Sequence, residues 1–312
     1  MNKSQQYKEW FNEYSKEWLT DAYEQADYNY PVGYHRLRIL LKALENDDLN
    51  GKMILDIGCG GGNISFALAQ RGAHVIGIDM ADSMLEVANS RKAEMMTTLS
   101  GTVEFRKENF QDLSLTIQKE KFDYIIAFGL IGYLESDEQF FKILRSLLKE
   151  NSILYLSCRN ELFNVTSVSQ NTIKEINTGN IFRLIEEINK DYEKEISPEK
   201  SWKFISELSD SINKINSLRN FESFERKDAD VHQMKSTARQ STPDELKQTA
   251  QEFGYRFCQY WGVHPHLLLP GFNKKLPPRV FNVLSDALCV FEDEPISLVW
   301  SSVFIGKFEY RI

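Results

Sequence analysis

The residues best suited to chemistry stand close together between Ile54 and Met80. An apolar run, Ile54-Leu55-Asp56-Ile57, opens directly into Gly58-Cys59-Gly60-Gly61-Gly62-Asn63. Glycines at the end of a strand let the backbone turn and approach a ligand with no Cβ in the way. Asp56 precedes the loop, and Asn63 stands where a dinucleotide fingerprint needs Gly or Ala. A carboxylate there repels a diphosphate and attracts a cationic ligand, more strongly in a partly desolvated cleft than in water. Asp79 closes the next apolar run, where a carboxylate can accept hydrogen bonds from both hydroxyls of an adenosine ribose, and Met80 can pack on the base.

A loop of this kind works only if strands and helices alternate around it. Short apolar runs at Met53 to Ile57, His74 to Asp79, Thr102 to Glu108, Phe122 to Phe128 and Ile153 to Ser157 predict a parallel sheet with helices between the strands. Ser83 with Glu86 and Ser136 with Gln139 read as capping boxes, and Gly72 follows the helix that holds Phe66, Ala67 and Ala69. From 160 to about 240 the rhythm stops. Two amphipathic segments follow one another there, the second opening at Ser197-Pro198 and setting Trp202, Ile205, Leu208, Ile212 and Ile215 on one stripe that must dock. The pattern resumes with a helix opened by Thr242, Pro243 and Glu245 and stopped at Gly254, a strand over Tyr255 to Val263, and a final strand over Ser297 to Tyr310.

With these motifs the chain resembles class I S-adenosylmethionine-dependent methyltransferases. Leu55-Asp56-Ile57-Gly58-Cys59-Gly60-Gly61-Gly62 matches the family's first motif and Ile76-Gly77-Ile78-Asp79 its second. The resemblance implies an α/β fold: a doubly wound, mostly parallel, seven-stranded Rossmann-like sheet with a reversed last strand, here carrying a helical insertion after strand 5. It implies S-adenosyl-L-methionine as cofactor, with Asp56 and Gly58 at its methionine end, Asp79 on the ribose, Asn109 and Phe110 at the adenine, and Phe128 near the methyl group. Gly60 belongs to the same loop. Gly132-Tyr133 stands where the family often has a histidine, which leaves Tyr133 as the local catalytic candidate.

Other residues are read from their own chemistry. His264-Pro265-His266 follows the sixth strand on the same sheet edge as the glycine loop, and a histidine of near-neutral pKa suits a general base, so His264 and His266 are catalytic candidates, with His232 a rival. Tyr7, Trp10, Phe11, Tyr14 and Trp18 recur at helical spacing, and with Tyr28, Tyr30 and Tyr34 they can fold over the cofactor. Tyr30 and Arg36 are candidate contacts for the cofactor's carboxylate. Arg159 and Asn160 at the mouth of the fifth strand can orient a polar substrate.

Composition narrows the partners. In 312 residues, 42% hydrophobic and 26% charged, the balance of 37 Lys plus Arg against 45 Asp plus Glu gives a net charge of −8 with no basic block, which argues against nucleic acid or an anionic membrane. No Asn-Pro-Pro-Tyr type motif follows the fourth strand, where the resemblance would lead one to expect it for methylation of a base nitrogen. Four scattered cysteines suit a reducing, cytoplasmic setting and provide no metal motif, so no metal is expected. The expected organisation is an N-terminal helical cap over 1–50, a cofactor-binding Rossmann-like core over 51–159, a helical insertion over 160–240 acting as lid or substrate domain, and completion of the core sheet over 241–312. The expected activity is methyl transfer to an oxygen or nitrogen of a small polar metabolite, with a sugar or nucleotide-sugar in view; oligomeric state stays open. A catalytically silent cofactor-binding module and an NAD-dependent oxidoreductase are the rivals.

Overall fold

The computed structural model describes residues 3–23, 31–113, 121–191, 195–217, 238–270 and 277–311. Seven strands form one sheet in the order β3-β2-β1-β4-β5-β7-β6. They are β1 (Met53–Ile57), β2 (His74–Asp79), β3 (Thr102–Lys107), β4 (Phe122–Phe128), β5 (Leu148–Arg159), β6 (Tyr255–Val263) and β7 (Val303–Tyr310). The first five pair in parallel, and β7 runs antiparallel to both β5 and β6. Strand order therefore reverses between β1 and β4, and a crevice forms at a reversal of this kind, outside the carboxyl ends of the strands. Among the described residues, no helix is long and apolar enough to cross a membrane.

Alternation along each strand supplies two apolar faces. Leu55, Ile57, Phe140, Phe141, Leu154 and Phe308 belong to the core on one side, and Ile54, Phe66, Ile126, Tyr155 and Ile305 to the core on the other. Helices α1 (Lys3–Glu13), α2 (Ser15–Tyr23) and α3 (Val32–Ala43) precede the sheet; α4 (Asn63–Ala69), α5 (Asp82–Met95) and α6 (Asp137–Arg145) lie between its strands. Among the described residues, the region after β5 contains four helices rather than two segments: α7 (Phe163–Thr166), α8 (Gln170–Thr178), α9 (Ile181–Asp191) and α10 (Pro198–Ser217). Gly179, at φ +73, supplies the left-handed residue that ends α8 and makes one of the extra breaks. Helices α11 (Pro243–Glu252), α12 (Pro278–Leu288) and α13 (Pro295–Trp300) complete the chain.

Three local expectations are corrected. Residues Ser297 to Trp300 are helical, because Pro295 starts a turn in which the Ser297 hydroxyl bonds the carbonyls of Glu292 and Glu294, so the last strand begins at Val303. Helix α5 is not opened by a Ser83 box. Its cap is Ala81, whose N–H goes to Asp79 Oδ1 at 2.9 Å, while the Ser83 hydroxyl is taken by the Phe11 carbonyl at 3.2 Å. The α10 stripe docks only in part, with Leu208 and Ile215 half-buried. Trp202, Ile205 and Ile212 are 71%, 53% and 49% exposed, because α10 is rolled to pack on α12 through Ser211, whose hydroxyl reaches the Val283 carbonyl, and on Phe291 through Phe204.

Two predicted caps are present. Ser136 accepts the Gln139 N–H at 3.3 Å, and Thr242 with Glu245 forms a reciprocal box, N–H to hydroxyl at 3.2 Å and N–H to carboxylate at 3.1 Å. Thr242 is fully buried. Thr242→Ala is expected to lower stability by about 1 kcal/mol, read as a lower urea midpoint at unchanged slope.

Candidate active site

The crevice at the carboxyl edge of the sheet is a cavity of about 740 Å³. Gly58 and Gly60 form its wall at the end of β1, both with positive φ (+72° and +51°). A Cβ built on Gly58 would meet nothing within 4 Å, so this backbone faces the open cavity, and a side chain there would occupy ligand space as well as strain the turn. Asp79 fixes the turn: one carboxylate oxygen accepts the Gly60 N–H and the other the Ala81 N–H, each at 2.9 Å. Burial raises its pKa, against the pull of these N–H donors.

Met80, Asn109, Phe110 and Phe128 line the same cavity, as the sequence predicts. Asn109 sits at the end of β3 and caps a single turn, accepting the Gln111 N–H at 3.2 Å, while Phe110 is held by stacking on Phe140 at 5.4 Å between centroids. Arg36 enters from α3, and the built Cβ of Gly129 falls 3.1 Å from its Nη1. Its Nε is buried with no hydrogen-bond partner among the described residues, and burial lowers its pKa. A buried guanidinium N–H with no partner among the described residues is available to an anion from outside the chain. Tyr30 lies outside the described residues, as do Tyr28 and His232. Of the aromatic series, Tyr7, Phe11 and Trp18 line the cavity, and Tyr7 meets Tyr133 edge-on at 4.7 Å; Trp10 and Tyr14 instead pack on each other, and Tyr34 on His35.

Asp56 does not reach the cavity wall. As the alternate residue to Leu55 and Ile57 it points to the α4 side, is 1% exposed, and accepts the Ser65 hydroxyl at 2.6 Å. Burial, with a smaller contribution from Asp79, pushes its pKa up to about 7. Asp56 therefore lies beneath the loop and does not line the cavity.

The histidines are placed as expected but tuned differently. His264 and His266 both line the cavity. Burial lowers their pKa to about 4 and about 3, so neither is the near-neutral base anticipated, and both stay uncharged at physiological pH. His264 sits at φ +50, with Nε2 3.1 Å from Asn282 Oδ1 and its ring tilted on that of His35 at 4.6 Å. His266 has a buried Nδ1 without a partner among the described residues. Asn160 is corrected outright: it is fully buried and its amide clips the Leu298 and Ser301 carbonyls, with Oδ1 on the Leu162 N–H, so it orients no substrate. Arg159 does line the cavity.

Sequence reasoning missed several contributors. Arg91 braces the glycine loop by donating to the Gly61 carbonyl at 2.7 Å and to Asn63 Oδ1. Asn164 and Gln240, paired at 3.0 Å, also line the cavity, but they are 76 positions apart and only the tertiary fold joins them. His35, Asp286 and Cys289 bring three potential metal ligands within 4.8 Å of one another. Burial pushes the Cys289 thiol up to about 12, which works against metal binding there.

A glycine cradle, a ribose-type carboxylate at the second strand and a reversed seventh strand define the class I S-adenosylmethionine-dependent fold. Comparison with known proteins carries this further: a family model described as a methyltransferase domain matches residues 48–252, and the chain belongs to that family. It is 31% identical over 150 residues to the ubiquinone biosynthesis O-methyltransferase of Histophilus somni (strain 2336), covering 48% of this chain and 60% of that one. To the protein of the same name from Haemophilus ducreyi (strain 35000HP / ATCC 700724) it is 35% identical over 115 residues, 36% and 47% of the two chains. The chain thus spans roughly half the length of these curated relatives. Among solved structures, magnesium protoporphyrin IX methyltransferase (ChlM) from Synechocystis PCC 6803, with bound SAH, superposes with a TM-score of 0.57 at 15% identity over 99% of this chain and 100% of that one. The [4+2]-cyclase SpnF gives 0.54 at 13% identity over 99% and 96%. At such identities the likeness is one of fold.

Asp79→Ala is expected to weaken S-adenosylhomocysteine binding by about 1 to 3 kcal/mol in calorimetry, through lost hydrogen bonds to a charged group. Asp56 holds its proton more tightly folded than unfolded, where its pKa is near 3.8, so its stabilising contribution is present below about pH 4 and fades as pH rises through about 7. Asp56→Asn removes that dependence: relative to wild type, the variant should gain about 1 to 3 kcal/mol between about pH 5 and about pH 8 in urea unfolding.

Proposed function

We propose that this chain transfers the methyl group of S-adenosylmethionine to an oxygen or nitrogen of a small polar acceptor, with oxygen favoured. The single observation that carries the reading is the Gly58-to-Gly60 backbone opening into the cavity beside Asp79, with Arg36, whose Nε has no hydrogen-bond partner among the described residues, in the same wall. S-adenosylmethionine, when bound, supplies a methyl group activated on a sulfonium. The chain's residues bind and align: Asp79 takes the ribose, Asn109 and Met80 the base, and Arg36 the carboxylate. Tyr7, Phe11 and Trp18 close the near side with aromatic surface and exclude water.

Neutral His266 can accept a hydrogen bond from an acceptor hydroxyl, but its lowered basicity makes it a poor proton sink, so alignment rather than base strength carries catalysis. The names of the relatives, O-methyltransferases of ubiquinone biosynthesis, favour an oxygen on a ring-bearing acceptor, and aromatic walls at Tyr7, Phe11, Tyr133 and Phe163 suit a planar ring. Nothing among those relatives favours the sugar or nucleotide-sugar expected from sequence. The helices after β5 contribute the acceptor side of the cavity through Phe163, Asn164 and Ser167.

The test is S-adenosylhomocysteine release from S-adenosylmethionine with a panel of phenols, aliphatic alcohols and amines. Turnover with a phenol is expected; binding of cofactor with no product from any acceptor would leave a silent binding module, and thermal protection by NAD alone would favour the oxidoreductase. Arg36→Met should weaken S-adenosylhomocysteine binding by about 1.5 to 3 kcal/mol while leaving the fold intact by circular dichroism.

A further inference from the structure

We propose that the acceptor carries an oxyanion, a carboxylate or phosphate apart from the atom methylated, and that Arg159 pairs with it. This rests on the methyl-transfer reading above. Ser157 and Arg159, two apart on β5, both line the cavity and share one face of the strand. The cavity there carries two guanidinium groups, and the charge of Arg159 acts on Arg36 to lower its pKa further, after burial itself. Arg159 is exposed to the cavity and forms no ion pair or side-chain hydrogen bond among the described residues.

Two acids near the end of β5 are committed elsewhere, while Glu108 and Glu135 line other parts of the cavity. Glu161, two residues on, is held by Arg183 at 2.8 Å. Asp137, which takes the hydroxyl of Ser241 beside the end of β5, is held by Arg239. Among the described residues Arg159 is therefore not spent on an ion pair.

The charge balance of the loaded site then decides what Arg159 is for. The donor has one carboxylate against an ammonium and a sulfonium. Arg36, the more buried guanidinium and the one against Gly129 at the end of β4, matches that carboxylate. Arg159 is left facing a donor of net positive charge. An acceptor with an oxyanion satisfies the planar fork of Arg159 bidentately and lowers the repulsion between Arg159 and the donor. Of the residues beside this end of the cavity, His266 is kept neutral and Ser302, Asn164 and Gln240 are uncharged, so none competes for the anion by ion pairing.

The test loads the full chain with saturating S-adenosylhomocysteine and titrates benzoate, phenyl phosphate and benzamide in turn, on wild type, Arg159→Gln and Arg159→Lys. At least one anion is expected to bind about tenfold tighter than benzamide, the advantage to vanish in Arg159→Gln, and part of it to return in Arg159→Lys. Benzoate leading identifies a carboxylate, and phenyl phosphate leading a phosphate. S-adenosylhomocysteine affinity should stay within about twofold in both variants, which also reports that they fold. Anions binding no better than benzamide, or an advantage that survives Arg159→Gln, overturns the proposal and leaves methyl transfer standing. Failure of S-adenosylhomocysteine to bind wild type instead removes the methyl-transfer reading, and this proposal with it.

Discussion

The grip of the Asp79 carboxylate on the Gly60 N–H is the contact on which the site depends. It joins the end of the second strand to the loop after the first, and so fixes two strand ends against each other at the edge where ligands bind. Because the other oxygen takes the Ala81 N–H at the start of α5, one side chain sets the loop, the strand end and the next helix together. Arg91 holds the same loop from the other side through the Gly61 carbonyl. The glycines are thereby held in a single arrangement rather than left free, which is what a preorganised cradle requires.

Charge around the cavity follows from burial more than from pairing. Asp56 has its pKa raised beneath the loop, burial lowers the pKa of His264 and His266, and Arg36 faces the cavity with an Nε that has no partner among the described residues. Each of these is costly in a dry interior, and each is a group whose state a bound ligand can change. A site built this way discriminates by charge and shape. It has little capacity for strong acid–base chemistry, consistent with a reaction in which the donor is already activated.

Much of this was legible in the chain itself. Strands β1, β2 and β4 and the Gly58-to-Gly62 loop were readable because short apolar runs stop at glycine or aspartate, and Asp79, Met80, Asn109, Phe110, Phe128 and Arg36 all reach the cavity. What failed did so for tertiary reasons. Asp56 was misread because spacing gives position along a strand but not which face the neighbouring helix claims, and Ser65 claims it. The histidine pKa values depend on desolvation by Phe163, Phe281 and His35, which no local pattern reveals. The α10 stripe obeys helical periodicity yet leaves Trp202, Ile205 and Ile212 exposed, since the neighbour packs on the side that holds Phe204 and Ser211. Asn164 and Gln240 meet only because the chain returns across the cavity after the insertion.

One helix ties the reaction chamber to the distal scaffold. Along α3, Arg36 enters the chamber while Arg38 and Lys42 clasp Glu292, whose carboxylate is 1% exposed. A helix turns about 100° per residue, so inserting or deleting a single position between Arg36 and Arg38 would swing one set of contacts out of line with the other. The phase of that helix is consequently a shared setting between chamber and scaffold.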